Sequence, residues 1–503
     1  MLDLEFSLSS CLLVILPISI LFILIATGGK SSSKLPKSYP LVGSTFAILS
    51  NRNRNNQWIA SVLSHCSTRT YVSSQGLLGP AQVWTANPEN VKHILKTQFS
   101  IYPKGGISTS ILSDFLGTGI FNNDGDGWKF QRQLSSHEFN TKSLRKFIED
   151  VVKTEVSDRL IPMLSTTAEQ NSVLDLQDIL QRFAFDNICK ISFGYDPAYL
   201  SPSLHKTEFA SAFEEATEIS GRRFGSVIPL VWKVKRFLNI GSEKKLKQAT
   251  LKVRQYARDL ILQKKQENEN KSSSLEATDL ISRFIRDERL DDDFVIDMVI
   301  SFILAGQDTT SAALTWFFWL VSCNPKVEQE ILKEISQTSE EPGYNDVKDM
   351  VYIHASLCES MRLYPPVPAD GKEAASDDVL PDGTTVKKGM RVTYSPYAMG
   401  RMENLWGSNW NEFKPERWLE IEKETGKLHF MAKDSYTYPV FQAGPRICLG
   451  KEMAFLQMKM IVVEILRRFR VVPAEGDGFE PVFVSFLTSK MKGGFQVKIQ
   501  QRN

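Results

Sequence analysis

The ten residues "FQAGPRICLG" (441–450) place one cysteine, Cys448, among glycines, a proline and an arginine near the end of a 503-residue chain. A cysteine in such a position can be a small buried hydrophobe, half of a disulfide, a nucleophile or a metal ligand. A helical run begins near Gly450. A helix amino terminus next to a thiol lowers its pKa and favours the thiolate. The remainder of the sequence must decide among these four roles.

The overall composition narrows the choice. The six cysteines are scattered and form no C-x-x-C pair, which disfavours a zinc site or a disulfide scaffold and is typical of a reducing compartment. The six histidines show no H-x-x-x-H spacing, so any metal would be bound by a lone thiolate. Lys and Arg number 60 against 58 Asp and Glu, and this balance gives no indication of a nucleic-acid partner.

The amino terminus carries a nearly continuous apolar stretch, residues 6–27, that is about long enough to cross a bilayer core. Acidic residues precede it and lysines follow it, so the positive-inside rule places the body of the chain in the cytosol. A cleaved signal peptide is the competing interpretation, because residues 26–28 are small. We expect an uncleaved membrane anchor over 1–29, a proline-containing hinge over 30–45 and a cytosolic body over 46–503.

The pattern of the body predicts a mostly α fold with small β-sheets. Most of 140–340 has helical spacing, and Asn87 before Pro88 predicts a helix amino terminus. Strand patterns are short, as in "TTVKKGMRVTYSPY" (384–397) and "GGFQVKIQ" (493–500). The polar stretch 266–274 predicts a solvated loop within one domain.

Residues 291–325 predict a long helix with three aspartates at its start and Pro325 after its end. The polar sequence "GQDTTS" in its middle argues against a membrane span, so we expect it to cross the protein core. In one interpretation Thr309 bonds back to a carbonyl one turn earlier and Gly306 is a packing contact. In the other, Gly306 leaves room for a ligand, and Asp308 and Thr309 supply an acid and a hydroxyl beside it.

Two further pairs and one arginine could belong to one site. Trp128 and Arg132 are four residues apart on one helix face, where they could bind a carboxylate or simply stack on the surface. Glu359 and Arg362 are three apart on a helix, and such a pair is usually a surface ion pair worth a few tenths of a kcal/mol. Arg417, in "FKPERW", could join that pair.

Taken together and in this order, these motifs resemble those of cytochromes P450, the haem-thiolate monooxygenases, along essentially the whole chain. The match rests on the tryptophan–arginine pair, "AGQDTT" (305–310), Glu359-x-x-Arg362, "PERW" (415–418) and the cysteine stretch from Phe441 to Gly450. Many members have phenylalanine where this chain has Trp418. The resemblance implies the cytochrome P450 fold with an amino-terminal anchor helix in the endoplasmic reticulum membrane.

The resemblance also implies roles for individual residues. Cys448 would be the metal ligand of haem b, and its thiolate would favour O–O cleavage. Thr309 and Asp308 would be catalytic. The hydroxyl of Thr309 would donate a hydrogen bond, and Asp308 would relay protons. The other cofactor-binding residues would be Arg446, Trp128, Arg132, Phe441 and Gly450. Glu359, Arg362 and Arg417 would form a structural ion network.

Partners follow from the same resemblance. Because the chain carries no G-x-G-x-x-G or flavin motif, electrons would come from NADPH through a membrane-bound cytochrome P450 reductase. Its docking face could include Lys142, Arg145, Lys146 and Lys451, although a solvated charge run explains them equally well. The other partners would be O2, the membrane and a lipid-like substrate.

Several stretches, among them "DVLPDGTTVKKG" (378–389), are similar to the plant fatty-acid ω-hydroxylase branch, the ninety-four family. This implies hydroxylation of the terminal carbon of long-chain fatty acids. Jasmonoyl–amino acid conjugates, which some members oxidise, and steroid side chains, on which relatives act, are alternatives. Gln307 stands where the branch often has a basic residue, which keeps a neutral, sterol-like substrate open. The pocket would be lined by Phe121, Phe302, Val367 to Ala369 and Phe486 to Leu487. A non-catalytic haem sensor or carrier is the alternative from another class, which the Asp308–Thr309 pair disfavours.

Overall fold

The structure is a computed structural model that describes residues 35–76, 81–139, 141–203, 207–226, 228–270, 279–285, 290–340, 343–424, 426–476 and 478–502, with the backbone alone for 267–270. The expected anchor over 1–29 lies outside the described residues, as does the first part of the hinge. Within the described ranges, no helix is long and apolar enough to cross a membrane.

Helices dominate the described chain, as the sequence predicts. In chain order they are α1 Thr45–Ser50, α2 Asn55–His65, α3 Pro88–Lys92, α4 Gly105–Leu116, α5 Gly125–Phe139, α6 Lys142–Glu155, α7 Ile161–Glu169, α8 Leu176–Phe193, α9 Glu208–Phe224, α10 Pro229–Phe237, α11 Gly241–Asn270, α12 Leu280–Phe284, α13 Asp292–Ser322, α14 Pro325–Ser336, α15 Tyr344–Lys348, α16 Val351–Leu363, α17 Pro396–Met399, α18 Glu403–Trp406 and α19 Lys451–Arg468.

The strands are short and fall into small sheets. They are β1 Thr70–Ser73, β2 Gln82–Thr85, β3 Val173–Asp175, β4 Asp370–Glu373, β5 Asp378–Val379, β6 Thr385–Val386, β7 Arg391–Tyr394, β8 Leu419–Ile421, β9 Leu428–Phe430, β10 Phe469–Pro473, β11 Phe483–Ser485, β12 Ser489–Met491 and β13 Gln496–Gln501. One sheet has the order β1-β2-β7-β4 and another β10-β13-β3, while β5-β6, β8-β9 and β11-β12 are hairpins. In the four-stranded sheet, β2 and β7 are parallel and the other pairs are antiparallel.

Local signals in the sequence explain where several helices begin. Asn87 accepts a hydrogen bond from the Glu89 backbone N–H at 3.0 Å and so caps α3, as predicted. Asp291 caps α13 in the same way through the Phe294 N–H at 2.7 Å. The loop prediction over 266–274 is wrong for 266–270, because α11 continues through Asn270; charged and amide side chains such as Gln266 are compatible with an exposed helix. Residues 271–274 lie outside the described part.

Helix α13 is the centre of the core, as predicted. Most of its residues are buried, and it packs against α8, α16, α19 and strand β12. Polar groups within such a helix need internal partners. The Ser311 and Thr315 hydroxyls bond to carbonyls one turn earlier at 2.9 and 2.8 Å. The middle of α13 faces an internal cavity that is also bordered by α5, α9, β4, β7, the β11-β12 hairpin and the segment before α19.

Candidate active site

The segment before α19 is shaped by two tight turns. It contains the 3₁₀ turns Pro439–Phe441 and Gly444–Arg446. Gly444 has φ +65°, and a Cβ there would lie 2.1 Å from the Leu95 carbonyl oxygen, so glycine is required. The Cys448 N–H closes the loop by donating to the Phe441 carbonyl at 2.8 Å. These constraints bring the Cys448 side chain to the cavity wall.

The electrostatic setting of the Cys448 thiol differs from the sequence prediction. A hydrogen bond from the Gly450 N–H and the nearby Arg132 and Lys451 cations lower the pKa of the thiol, but burial among protein atoms is the larger effect and raises it. The predicted contribution of the helix amino terminus is therefore confirmed, but in the protein alone the burial that the sequence did not predict outweighs it. A bound metal cation would reverse the balance, because a coordinating thiol is deprotonated outright.

Arginine and tryptophan side chains meet beside this segment. The Arg446 guanidinium lies 4.3 Å from the centroid of the Trp128 ring and donates to the Asp124 carboxylate at 2.6 Å. Burial lowers the pKa of Arg446, and the nearby Arg132 cation lowers it further. Arg446 Nε is buried without a hydrogen-bond partner. The structure thus brings Trp128, Arg132 and Arg446 together at one side of the cavity.

The remaining predicted residues of the cysteine segment also line the cavity. The Phe441 ring packs against Phe455 with centroids 5.2 Å apart, and the Lys451 ammonium lies 5.8 Å from its centroid. Gly450 precedes α19, and a Cβ there would come 4.0 Å from the Cys448 sulfur. Glycine therefore keeps the approach to the sulfur open on that side.

Both interpretations of the polar sequence in the middle of α13 describe real contacts. The Thr309 hydroxyl donates to the Ala305 carbonyl at 2.6 Å, and a Cβ on Gly306 would lie 2.7 Å from the Ile188 side chain. Even so, Ala305, Gly306 and Thr309 line the cavity. The packing role and the ligand-facing role therefore coexist at these residues.

Asp308 points elsewhere. It is 6% exposed, is not part of the cavity wall and accepts a hydrogen bond from the Thr488 hydroxyl at 3.2 Å. Burial raises the pKa of this carboxyl, while Lys490 and the Thr488 hydrogen bond lower it. Gln307 is also buried away from the cavity wall. Its side chain is therefore not placed to select a substrate by direct contact.

Glu359, Arg362 and Arg417 form the predicted ion network. Glu359 and Arg362 are fully buried, with Oε2 and Nε 2.7 Å apart, and Arg417 Nε lies 3.1 Å from Glu359 Oε1. Arg362 also donates to the carbonyls of Trp410 and Glu412 at 2.7 and 3.1 Å. The pair is therefore a buried ion pair and not the surface ion pair that its spacing alone suggests.

The cavity has a volume of about 1630 Å³ and its walls are largely apolar. The residues expected to line it all do so: Phe121, Phe302, Val367, Pro368, Ala369, Phe486 and Leu487. Within the described residues, no group of three or more His, Cys, Asp or Glu side chains could hold a metal ion. Cys448 is therefore the candidate protein ligand for a metal bound in this cavity.

Comparison with known proteins agrees with this geometry. The model of the family "Cytochrome P450" matches residues 34–499. The chain belongs to the cytochrome P450 family. It is 59% identical over 469 residues to cytochrome P450 94A1 of Vicia sativa, covering 93% of this chain and 91% of that protein. It is 58% identical to cytochrome P450 94A2 of the same plant and 48% identical to cytochrome P450 94B1 of Arabidopsis thaliana. Each of these two matches covers 94% of this chain and 92% of the relative.

The protein is thus a cytochrome P450 monooxygenase of the ninety-four family, and its cofactor is haem-thiolate iron supplied with electrons by a reductase. The residues present fit this group. A single cysteine faces a large cavity, and the buried, unpartnered Nε of Arg446 lies where an anionic propionate would complete its hydrogen bonding. The cytochrome P450 fold, mostly helical with small sheets, is the predicted fold.

Further polar residues of this cytochrome P450 site were not identified from the sequence. Asp370 lies at the cavity and bonds to Lys104 at 3.1 Å, to Lys372 at 3.0 Å and to the Gln442 amide. These cations lower the pKa of Asp370, and burial lowers the pKa of Lys372 to about 7. The members come from three distant segments, so no local spacing indicates the cluster. The position of Gln442, one residue after Phe441, was the available signal.

Proposed function

We propose that this monooxygenase hydroxylates the terminal (ω) carbon of long-chain fatty acids, with O2 and with electrons from NADPH delivered by a cytochrome P450 reductase. The observation that carries the proposal is the continuous apolar cavity that reaches from Cys448 and Thr309 to the aromatic side chains Phe121, Phe302 and Phe486. An alkyl chain fits such walls through hydrophobic burial. The identity to ninety-four family members supports it further.

A terminal methyl group is the hardest position of an alkyl chain to oxidise, so regioselectivity has to come from positioning. Phe302 lies in the buried face of α13 and packs against Phe139 and Phe284, with centroids 5.3 and 6.2 Å away. Its ring is therefore held rigidly. A wall of this kind favours one orientation of the chain end.

The haem, when bound, activates dioxygen at its iron and supplies the oxidant that inserts one oxygen atom into a C–H bond. The chain contributes the Cys448 sulfur, hydrogen-bonded by the Gly450 N–H, as the ligand. Arg446, Arg132 and Trp128 would hold the propionates. These residues fix the cofactor and tune its electronic properties.

Thr309 and Asp308 would transfer protons from two different sides of α13. The Thr309 hydroxyl faces the cavity while donating to the Ala305 carbonyl, which leaves its oxygen lone pairs as acceptors. Asp308 is buried against Thr488, and its raised pKa allows the carboxyl to exchange a proton closer to neutral pH than an exposed aspartate. The proposed direction is from Asp308 toward the hydroxyl of Thr309.

We also propose that residues 1–29 anchor the protein in the endoplasmic reticulum membrane with the catalytic domain in the cytosol. Helix α10 supports this, since it exposes Leu230 by 65% and Phe237 by 88%. Exposed large apolar groups on one short helix are typical of a surface that meets a lipid bilayer or a partner. Deletion of 1–29 should release most of the enzyme from microsomes. If the truncated protein still binds microsomes and Phe237→Ser abolishes that binding, the remaining membrane affinity belongs to α10.

Turnover with defined substrates tests the proposed activity. Lauric acid, a jasmonoyl–isoleucine conjugate and a hydroxylated sterol are compared by their binding spectra and by NADPH-dependent product formation with reductase. We expect a substrate-binding shift and an ω-hydroxy product for the fatty acid. A shift and product with only the sterol or the conjugate would replace the proposed substrate class. Cys448→Ser should abolish product and the carbonyl band of a thiolate-ligated haem.

A further inference from the structure

Arg391 is a cation at the cavity that is not among the residues assigned above to the haem. It begins strand β7, and its side chain runs across Gly371 of β4, where a Cβ would lie 2.3 Å from Arg391 Nε. The guanidinium carbon is 5.3 Å from the centroid of Phe224, the last residue of α9. Arg391, Gly371 and Phe224 line the same cavity as Cys448 and Thr309. The absence of a side chain at Gly371 is what makes room for the guanidinium.

Apart from the ring of Phe224, the charge of Arg391 has no direct partner among the described residues. Its Nε–H is buried and donates no hydrogen bond, and the guanidinium makes no ion pair with a described residue. Burial lowers the pKa of Arg391, while Asp370 and Glu373 raise it through their charges. Arg391 is half-buried, and its buried Nε–H is left without an acceptor, which is costly because that donor has lost its water.

The two carboxylates that act on Arg391 are engaged by other groups. Asp370 is held by Lys104 at 3.1 Å and by Lys372 at 3.0 Å. Glu373 accepts a hydrogen bond from the Ile107 backbone N–H at 3.1 Å. Neither carboxylate is therefore free to turn toward the guanidinium without losing an existing partner.

The other arginines that line the cavity differ from Arg391. Arg222 is exposed and paired with Glu218. Arg52 and Arg54 are also exposed, and Arg54 donates to Asn51 at 2.9 Å. Arg446 is paired with Asp124, and Arg132 lies close enough to Cys448 to lower the pKa of that thiol. Arg391 thus combines a buried, unpartnered Nε, exposure to the cavity and the lack of an ion-pair partner within the described chain.

We infer that Arg391 binds the carboxylate of the substrate and thereby sets which carbon of the chain is oxidised. This inference rests on the proposed fatty-acid activity. A guanidinium presents two parallel N–H donors that match a carboxylate, and a charge-assisted pair in a low-dielectric wall is strong. With the acid held at Arg391, the apolar chain extends along the cavity toward Thr309, so that the carbon farthest from the carboxylate reaches the site of oxidation.

The test compares a fatty acid with its methyl ester, which has the same chain and no negative charge, in the full-length holoenzyme. The wild type should bind lauric acid about 10- to 100-fold more tightly than methyl laurate. Arg391→Met should remove most of that preference by lowering only the affinity for lauric acid. Arg391→Lys, which keeps a positive charge, should retain part of the preference. Arg222→Gln, which removes a paired cation at the same cavity, should leave the preference intact.

The position of hydroxylation provides a second measurement. Arg391→Met should spread the products of lauric acid from the ω carbon to interior carbons, while the ester products stay unchanged. Equal loss of affinity for the acid and the ester in Arg391→Met would assign Arg391 a packing role. A lower haem-to-protein ratio in Arg391→Met and Arg391→Lys would assign Arg391 to binding of the cofactor. Either result overturns the inference. So would equal affinity of the wild type for acid and ester. Failure of the wild type to hydroxylate any fatty acid would instead overturn the proposed function.

Discussion

The indole Nε1 of Trp418 donates a hydrogen bond to Oε2 of Glu359 across 2.8 Å, in the fully buried interior. Glu359 Oε2 also accepts from Arg362 Nε at 2.7 Å. The tryptophan, which stands where many family members have phenylalanine, is thus a member of the ion network. It supplies a neutral donor to a buried carboxylate, and such donors stabilise the charged form.

Replacing Trp418 with phenylalanine should therefore destabilise the protein without unfolding it. Loss of a hydrogen bond to a buried charge costs about 1.5–3 kcal/mol, in addition to the lost ring contacts. We expect the urea midpoint of the haem absorbance to fall in Trp418→Phe. The matched control is Trp316→Phe, because Trp316 is equally buried but its Nε1 has no partner. An equal fall in both variants would show that only packing is lost.

The sequence predicts well the parts of the fold that depend on neighbouring residues. The caps at Asn87 and Asp291 are local signals, since an Asx side chain bonds to the backbone N–H two or three residues ahead. The turn-rich segment before Cys448 is likewise encoded locally, by Gly444. Spacing pairs Glu359 with Arg362, but the inclusion of Arg417 in a structural network came from the resemblance, because Glu359 and Arg417 are 58 residues apart.

The features that the sequence does not predict depend on distant contacts. The contact of Asp370 with Lys104 joins segments 266 residues apart, and that of Asp308 with Thr488 joins segments 180 residues apart. The pKa of Cys448 is another example, because burial by the whole fold outweighs the helix that follows in the sequence. Packing between distant segments thus determines the pKa values of the site residues and the hydrogen bonds that Asp370 and Asp308 make.

Thr309→Ala should separate electron consumption from product formation. The substitution removes the hydroxyl that faces the cavity and its 2.6 Å bond to the Ala305 carbonyl. We expect NADPH consumption to continue while hydroxylated product per NADPH falls several-fold and hydrogen peroxide appears. Thr309→Ser keeps the hydroxyl and should stay close to the wild type. Unchanged coupling in Thr309→Ala would remove Thr309 from the proton route.

Thr488 should control the pH at which Asp308 works. The Thr488 hydroxyl lowers the pKa of Asp308 by bonding its charged form, so Thr488→Val raises that pKa above its already raised value. Because the proposed route takes a proton from Asp308, the protonated carboxyl is the required form, so product per NADPH will decline on the alkaline side, and at a higher pH in Thr488→Val than in the wild type. The pH profile of Asp308→Asn should lack this limb. A profile unmoved by Thr488→Val would show that Asp308 does not limit coupling.

The basic residues predicted to dock the reductase lie on two helices in contact, α6 and α19. Lys142, Lys146 and Lys451 are exposed, whereas Arg145 lies 3.7 Å from Glu452 and over the Tyr344 ring. Charges on such a surface act on association and are screened by salt.

Lys142→Glu combined with Lys146→Glu should raise the KM for reductase several-fold and weaken its dependence on ionic strength, with peroxide-driven hydroxylation unchanged because that assay needs no partner. The control is Lys244→Glu with Lys247→Glu, the same charge change on exposed positions of α11. Glu452→Gln should act in the opposite direction, because it frees the Arg145 cation. Equal effects of the α6 and α11 pairs would mean that net charge, rather than a docking face, determines the association.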